Sequence, residues 1–289
     1  MNRLALGTVQ FGLSYGIANQ AGQVTRATAK EMLQLARAHG IDTLDTAIAY
    51  GDSEACLGEI GTQGFKLVTK LPAIPEQCPD VSGWVREQIA ASLARLGVNE
   101  VDGLLLHRPS QLLGPDGDAL FRTMCELKEA GTVKKIGVSV YAPTELDALI
   151  PKYRFDLVQA PFSVIDRRLF TSGWLHRLKK EGVEIHTRSA FLQGLLLMPC
   201  SSIPGKFVQW SPQFDTWYRW LSTNAAAATQ ACLAYPLSFP EVDRVVIGAD
   251  SVVQLQQTIE AATQELSGEL PDISCEDENL INPANWSRL

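Results

Sequence analysis

Val101-Asp-Gly-Leu-Leu-Leu-His107, then Asp118-Ala-Leu-Phe-Arg-Thr-Met-Cys-Glu-Leu-Lys-Glu-Ala130-Gly131, then Lys134-Lys-Ile-Gly-Val-Ser-Val140 is the stretch that decides the fold. It reads as a short apolar run, a helical pattern stopped by glycine, and a second apolar run. Both runs are too short for a helix and rich in Leu, Ile and Val. Strands that are apolar throughout suit a parallel sheet covered on both faces.

Working outward, the unit recurs. Strand-like runs fall at Arg3 to Leu6, Ile41 to Asp45, Lys66 to Lys70, Phe155 to Gln159, Val183 to Arg188 and Arg244 to Ile247. Helical patterns lie between them. One runs from the capping Thr25 to His39 and stops at Gly40. Ser82 to Leu96 carries Val85, Ile89, Leu93 and Leu96 on one face and stops at Gly97. Ser53 to Ile60, Pro143 to Ile150, Ser172 to Glu181 and Ser251 to Ala262 complete the set. The β-α order, repeated about eight times, predicts an α/β fold of the (β/α)8 TIM-barrel class, with an open doubly wound sheet as its rival. Residues 1–289 are expected to form a single domain, with 268–289 as a C-terminal tail. Irregular stretches at Pro72 to Asp80, Pro109 to Gly117 and Met198 to Gln213 follow strands. They belong at the C-terminal face, where such barrels place active sites.

Composition excludes several roles. The 289 residues are ample for one barrel, and a net charge of −7 without a Lys/Arg run argues against nucleic acid or an anionic membrane as partner. The six cysteines form no Cys-x-x-Cys pair and have no histidine at ligand spacing, so reduced thiols and no metal site are expected. No signal-like or membrane-spanning apolar run occurs, and the expected location is the cytoplasm. A monomer is expected, since no exposed apolar helix asks for a partner.

Four polar residues stand at adjacent strand ends. Asp45, Lys70 and His107 close the second, third and fourth strands, and Tyr50 follows Asp45 by five residues. Neighbouring strands lie about 4.8 Å apart, so these side chains share one patch. A tyrosine is a poor acid near neutrality, and a lysine cation favours its phenolate. Asp45 pairs the otherwise costly buried lysine. His107 can hydrogen-bond a carbonyl oxygen while Tyr50 protonates it. Hydride must come from a cofactor, because no side chain donates one.

These residues carry a resemblance. Asp45-Thr-Ala-Ile-Ala-Tyr50-Gly-Asp-Ser-Glu54, Leu67-Val-Thr-Lys70, Leu104-Leu-Leu-His107-Arg-Pro109, Lys135-Ile-Gly-Val-Ser139, Leu157-Val-Gln159 to Arg167 and Val246-Ile-Gly-Ala-Asp-Ser251 resemble the aldo/keto reductase family, in order, from about residue 3 to residue 265. The resemblance implies reduction of an aldehyde or ketone, with sugar or aryl aldehydes as candidate substrates. It implies Tyr50 as proton donor supported by Asp45, Lys70 and His107, and Ser139 and Gln159 on the nicotinamide carboxamide. Gly7 and Thr8, in the segment Gly7-Thr-Val-Gln-Phe-Gly12, would form backbone around the nicotinamide.

The sequence departs from the family at several places. Val140 stands where an Asn is usual, and Arg188 where an aromatic residue often stacks on the nicotinamide. Gly248, Ala249 and Gln254 occupy the places of cations that hold the 2′-phosphate of NADPH, and Thr258 that of an adenine-binding Asn. Backbone amides from Ala249 through Ser251 to Val252 can still bind phosphate. NADP(H) is the cofactor the resemblance implies, and NAD(H) is the alternative. His39, His176 and His186 are read as structural, and Cys56 and Cys200 as unreactive. Phe214, Trp217, Tyr218 and Leu221 share one helix face. Phe207, Trp210 and Trp286 are left open between core and substrate pocket. Two other functions compete: a Schiff-base aldolase using Lys70, and a nicotinamide-binding regulatory protein without turnover.

Overall fold

The structure is a computed structural model describing residues 2–289. Eight parallel strands close in chain order. They are β1 (Leu4–Gly7), β2 (Thr43–Asp45), β3 (Lys66–Leu71), β4 (Val101–Leu106), β5 (Val133–Ser139), β6 (Leu157–Pro161), β7 (Glu184–Arg188) and β8 (Arg244–Ile247). β8 returns to β1 through the register Leu4↔Val245, so no sheet edge is left open. The doubly wound rival is thereby excluded.

Side-chain caps start several of the helices. Thr25, Asp80 and Ser251 each accept a backbone N–H in the first turn of helices Arg26–Ala38, Val81–Leu96 and Val252–Ala261. Gly97 ends the second of these in the left-handed region, at φ 66°, which is why a glycine stands there. The longest helix outside the predicted patterns comes late in the chain. Ala228–Leu237 lies between β7 and β8, and its alanine-rich sequence with Pro236 inside gives no amphipathic period to read.

Strand alternation positions the site. Val68, Leu105 and Leu157 form a small apolar cluster of their own, apart from the main core. Two residues further along the same strands, on the same face, stand Lys70, His107 and Gln159. An apolar layer thus floors a polar one at the C-terminal mouth.

The loop and tail that the sequence left irregular are packed. Short 3-10 turns at Leu195–Leu197, Cys200–Ser202 and Gly205–Trp210 lead into helix Ser211–Thr223, which buries Phe214 and Trp217 as expected. Phe207 is fully buried with its ring 4.9 Å from Trp286, and Trp210 is buried beside it. All three are core and none lines the cavity described below. The tail also docks through Ile273, Leu280 and Ile281. Trp286→Ala should cost roughly 3–5 kcal/mol, the usual range for a buried Trp truncation. Urea unfolding of the variant measures it, and an unchanged midpoint would contradict the docked tail.

Candidate active site

Lys70 organises the mouth of the barrel. Its side chain is 1 % exposed, and the ammonium donates to Asp45 Oδ1 at 2.6 Å, to the Thr46 carbonyl at 2.9 Å and to Tyr50 Oη at 3.4 Å. An ammonium has three N–H groups, and all three are used. Asp45 is equally committed: its Oδ2 accepts from Gln159 Nε2 at 2.7 Å, and Gln159 Oε1 in turn accepts from Ser139 Oγ at 3.0 Å. Ser139 and Gln159 pair directly in the β5–β6 register, which makes that link. Four strands therefore fix one carboxylate–ammonium pair.

Tyr50 sits above it, its ring 5.7 Å from His107 in an edge-on arrangement and 5.0 Å from the lysine nitrogen. Burial raises the Tyr50 pKa, Lys70 lowers it and Asp45 raises it; the net is a phenol above its ordinary value. This corrects the sequence argument, which counted the lysine and not the desolvation. Burial opposes the charge on Lys70, but Asp45 and Tyr50 outweigh it and hold its pKa up. Burial, and next the Lys70 cation, push His107 down to about 4. Near neutrality the three are a protonated phenol, an ammonium and a neutral imidazole.

A cavity of about 650 Å³ opens beside Tyr50, a volume suited to a small-molecule site. The structure brings Gly7, Thr8, Asp45, Tyr50, Arg188, Gly248, Ala249, Gln254 and Thr258 together in its wall. Ser139, Gln159 and Lys70 are buried behind that wall, His107 is partly exposed beside Tyr50, and Ser251 serves as a helix cap. Thr8 is fully buried, its Oγ1 donating to the Asp45 carbonyl at 3.0 Å.

Sequence reasoning missed part of the wall. Tyr15, Asn19, Gln193 and Asp250 line the cavity. Asn19 Nδ2 donates to Asp250 Oδ1 at 3.2 Å, and Gln193 Nε2 donates to Tyr15 Oη at 3.0 Å, so the loop after β1 is tied to those after β8 and β7. Only fold-specific loop geometry brings these residues together, and no spacing in the sequence signals it.

Glycines let the chain pack closely at the β1 and β8 side of the cavity. A Cβ at Gly248 would stand 2.5 Å from Gln10, and one at Gly7 would stand 3.1 Å from Val246. Gln10 Oε1 is buried without a partner. The ten-residue helix Val252–Ala261 starts beside the same end of the cavity.

The chain matches the aldo/keto reductase family over residues 3–270. It is 25 % identical to the uncharacterized oxidoreductase YqkF of Bacillus subtilis, over 91 % of each chain. It is 26 % identical to the NADH-specific methylglyoxal reductase of Escherichia coli, over 68 % of this chain and 65 % of that one. Among solved structures, the aldo-keto reductase AKR11C1 from Bacillus halodurans (holo form) superposes with a TM-score of 0.74 at 22 % identity, covering 92 % of this chain and 88 % of the other.

The depressed pKa of His107 gives a test. Its imidazole should remain neutral from pH 8 down to pH 5.5, whereas an unperturbed histidine titrates near 6.5. Ring-nitrogen NMR shifts check this, and a protonated ring at pH 5.5 would contradict the geometry.

Proposed function

This chain belongs to the aldo/keto reductase family, and on that premise we propose that it reduces an aldehyde or ketone to the alcohol with a nicotinamide dinucleotide, Tyr50 giving the proton. The observation that carries the reading is the spending of all three Lys70 N–H groups on Asp45, Thr46 and Tyr50. A lysine so bound cannot act as an amine nucleophile. Its raised pKa opposes the aldolase reading, since Schiff-base chemistry needs the neutral amine. What the lysine can do is hold Tyr50 Oη by hydrogen bond and stabilise the charge left there when the proton departs.

The bound cofactor supplies the hydride. Gly7, Thr8, Gly248 and Ala249 would give it backbone, and Gln10, Gln254 and Thr258 polar contacts. Ser139 and Gln159 act first as supports of Asp45, and the second amide proton of Gln159 is the one left for a carboxamide. A carbonyl oxygen seated between Tyr50 Oη and His107 receives hydrogen bonds from both. The neutral imidazole orients that oxygen without adding charge. As negative charge develops on the oxygen, the phenol delivers its proton, and solvent restores it. Because burial keeps Tyr50 protonated, the donor form is the resting form in the direction of reduction.

NADH is the cofactor that the charges favour over NADPH. Arg188 is the one Lys or Arg in the cavity wall among the described residues, and it stands with Tyr50, away from the Gly248 to Thr258 end, where the acid Asp250 stands instead. No Lys or Arg lines the wall at that end, among the described residues, to meet the 2′-phosphate of NADPH.

Two outcomes follow. Tyr50→Phe should lower kcat for carbonyl reduction by about 10²- to 10⁴-fold, the range for loss of a general acid, while binding of NADH persists. Steady-state kinetics together with cofactor titration check it; full activity would exclude Tyr50 as donor. Quenching of tryptophan fluorescence should report tighter binding of NADH than of NADPH, with Asp250→Asn narrowing the gap. A wild-type preference for NADPH would overturn the charge argument. A protein that binds NADH yet turns over no carbonyl would favour the regulatory alternative.

A further inference from the structure

Arg188 is a cation whose own partners are neutral. It ends β7 and is half-buried in the cavity wall near Tyr50. Its guanidinium lies 4.8 Å over the Tyr141 ring, Nη2 donates to the Val140 carbonyl at 2.9 Å, and Nη1 donates to Ser189 Oγ at 3.1 Å. Neither acceptor is charged. A guanidinium offers five N–H donors, so three remain. Arg168 and Arg244 are matched with acids, Asp166 and Asp42, and Arg3, which has none, spends its guanidinium on the carbonyls of Leu237, Phe239 and Val242. A partly desolvated cation left without an anion is unfavourable, and in a chain of net charge −7 acidic partners are plentiful.

The backbone around Arg188 is also unusual. Ser189, Leu192 and Gln193 have φ of 66°, 48° and 53°, in the left-handed region that non-glycine residues rarely occupy. Backbone of this kind costs on the order of 1 kcal/mol or more per residue and clusters at ligand-binding segments. Here it aims the Ser189 hydroxyl at Arg188 and brings Gln193 to Tyr15. Tyr15 Oη accepts from Gln193, which leaves the phenol proton free to donate into the same cavity.

We propose that Arg188 anchors an oxyanion of the substrate, so that the carbonyl compounds reduced here carry a carboxylate or phosphate group whose oxygens take the free guanidinium N–H groups, with Tyr15 as a further donor. The proposal rests on the reductase reading. It adds what the wall is built to recognise: the carbonyl goes to Tyr50 and His107, and the anionic end goes to Arg188. A guanidinium fork matches two oxygens of either anion, so the two sources share one chemistry. The Arg188 charge is also felt at His107, where it helps keep the imidazole neutral.

The test is the kcat/KM ratio of charged to neutral members of matched pairs, with NADH and NADPH each supplied. Benzaldehyde is compared with its 2-, 3- and 4-carboxy derivatives, and glyceraldehyde with glyceraldehyde 3-phosphate. The wild type should favour at least one charged member by tenfold or more. Arg188→Gln should collapse that ratio by at least tenfold, and Arg188→Lys should restore part of it. Preference confined to the carboxylates or to the phosphate identifies the source of the oxyanion. Reduction of charged and neutral partners alike would overturn the proposal and leave the reductase reading standing. An unchanged ratio in Arg188→Gln, or a loss of NADH affinity without a change in ratio, would also overturn it and make Arg188 a platform for the nicotinamide. No turnover of any aldehyde with either cofactor would overturn both.

Discussion

The Lys70 ammonium and the Asp45 carboxylate lie 2.6 Å apart, with side chains only 1 % and 5 % exposed. Two ions so far from water are held there only because each has its remaining hydrogen-bonding capacity met. Thr46 and Tyr50 complete the lysine, and Gln159, itself bonded by Ser139, completes the carboxylate. Removing one ion leaves the other uncompensated, at a typical cost of 3–5 kcal/mol. The pair thus constrains neighbouring strands at once, and it sets where Tyr50 Oη stands. The chemistry of the site is a consequence of satisfying a buried charge.

The rest of the barrel serves this arrangement. Val68, Leu105 and Leu157 fill the interior directly below, and the polar layer begins two residues later on the same strands. Burial raises the Tyr50 pKa and lowers that of His107, where the Lys70 cation adds to the effect. Both groups are therefore neutral hydrogen-bond donors near pH 7, and the Lys70 ammonium on Tyr50 Oη steadies the charge left when the proton moves.

Much of this was legible in the sequence. Strand positions, the cap at Thr25, and the convergence of Asp45, Tyr50, Lys70 and His107 follow from apolar runs, a capping residue and the offset between strand ends. What escaped is specific. Ala228–Leu237 has no amphipathic stripe, because its packing is not one-sided. Phe207, Trp210 and Trp286 gave no sign of whether they met substrate or one another, since that depends on a tail returning from far along the chain. Tyr15, Asn19 and Asp250 meet only through loop conformation, which apolar periodicity does not encode. The direction of the Tyr50 shift was missed because a sequence names neighbours but does not weigh their desolvation.

The central claim is that Lys70 acts on the proton of Tyr50 and not on the substrate. Its most direct test is single-turnover reduction of an aldehyde by Lys70→Met, beside Lys70→Met/Asp45→Asn, which removes the stranded carboxylate and so secures a folded comparison. The account predicts that both variants bind NADH with nearly wild-type affinity, lose at least a hundredfold in the rate of reduction, and form no borohydride-trappable adduct with the aldehyde, as the wild type forms none. Wild-type rates in the double variant, or a trapped adduct on Lys70 of the wild type, would contradict it.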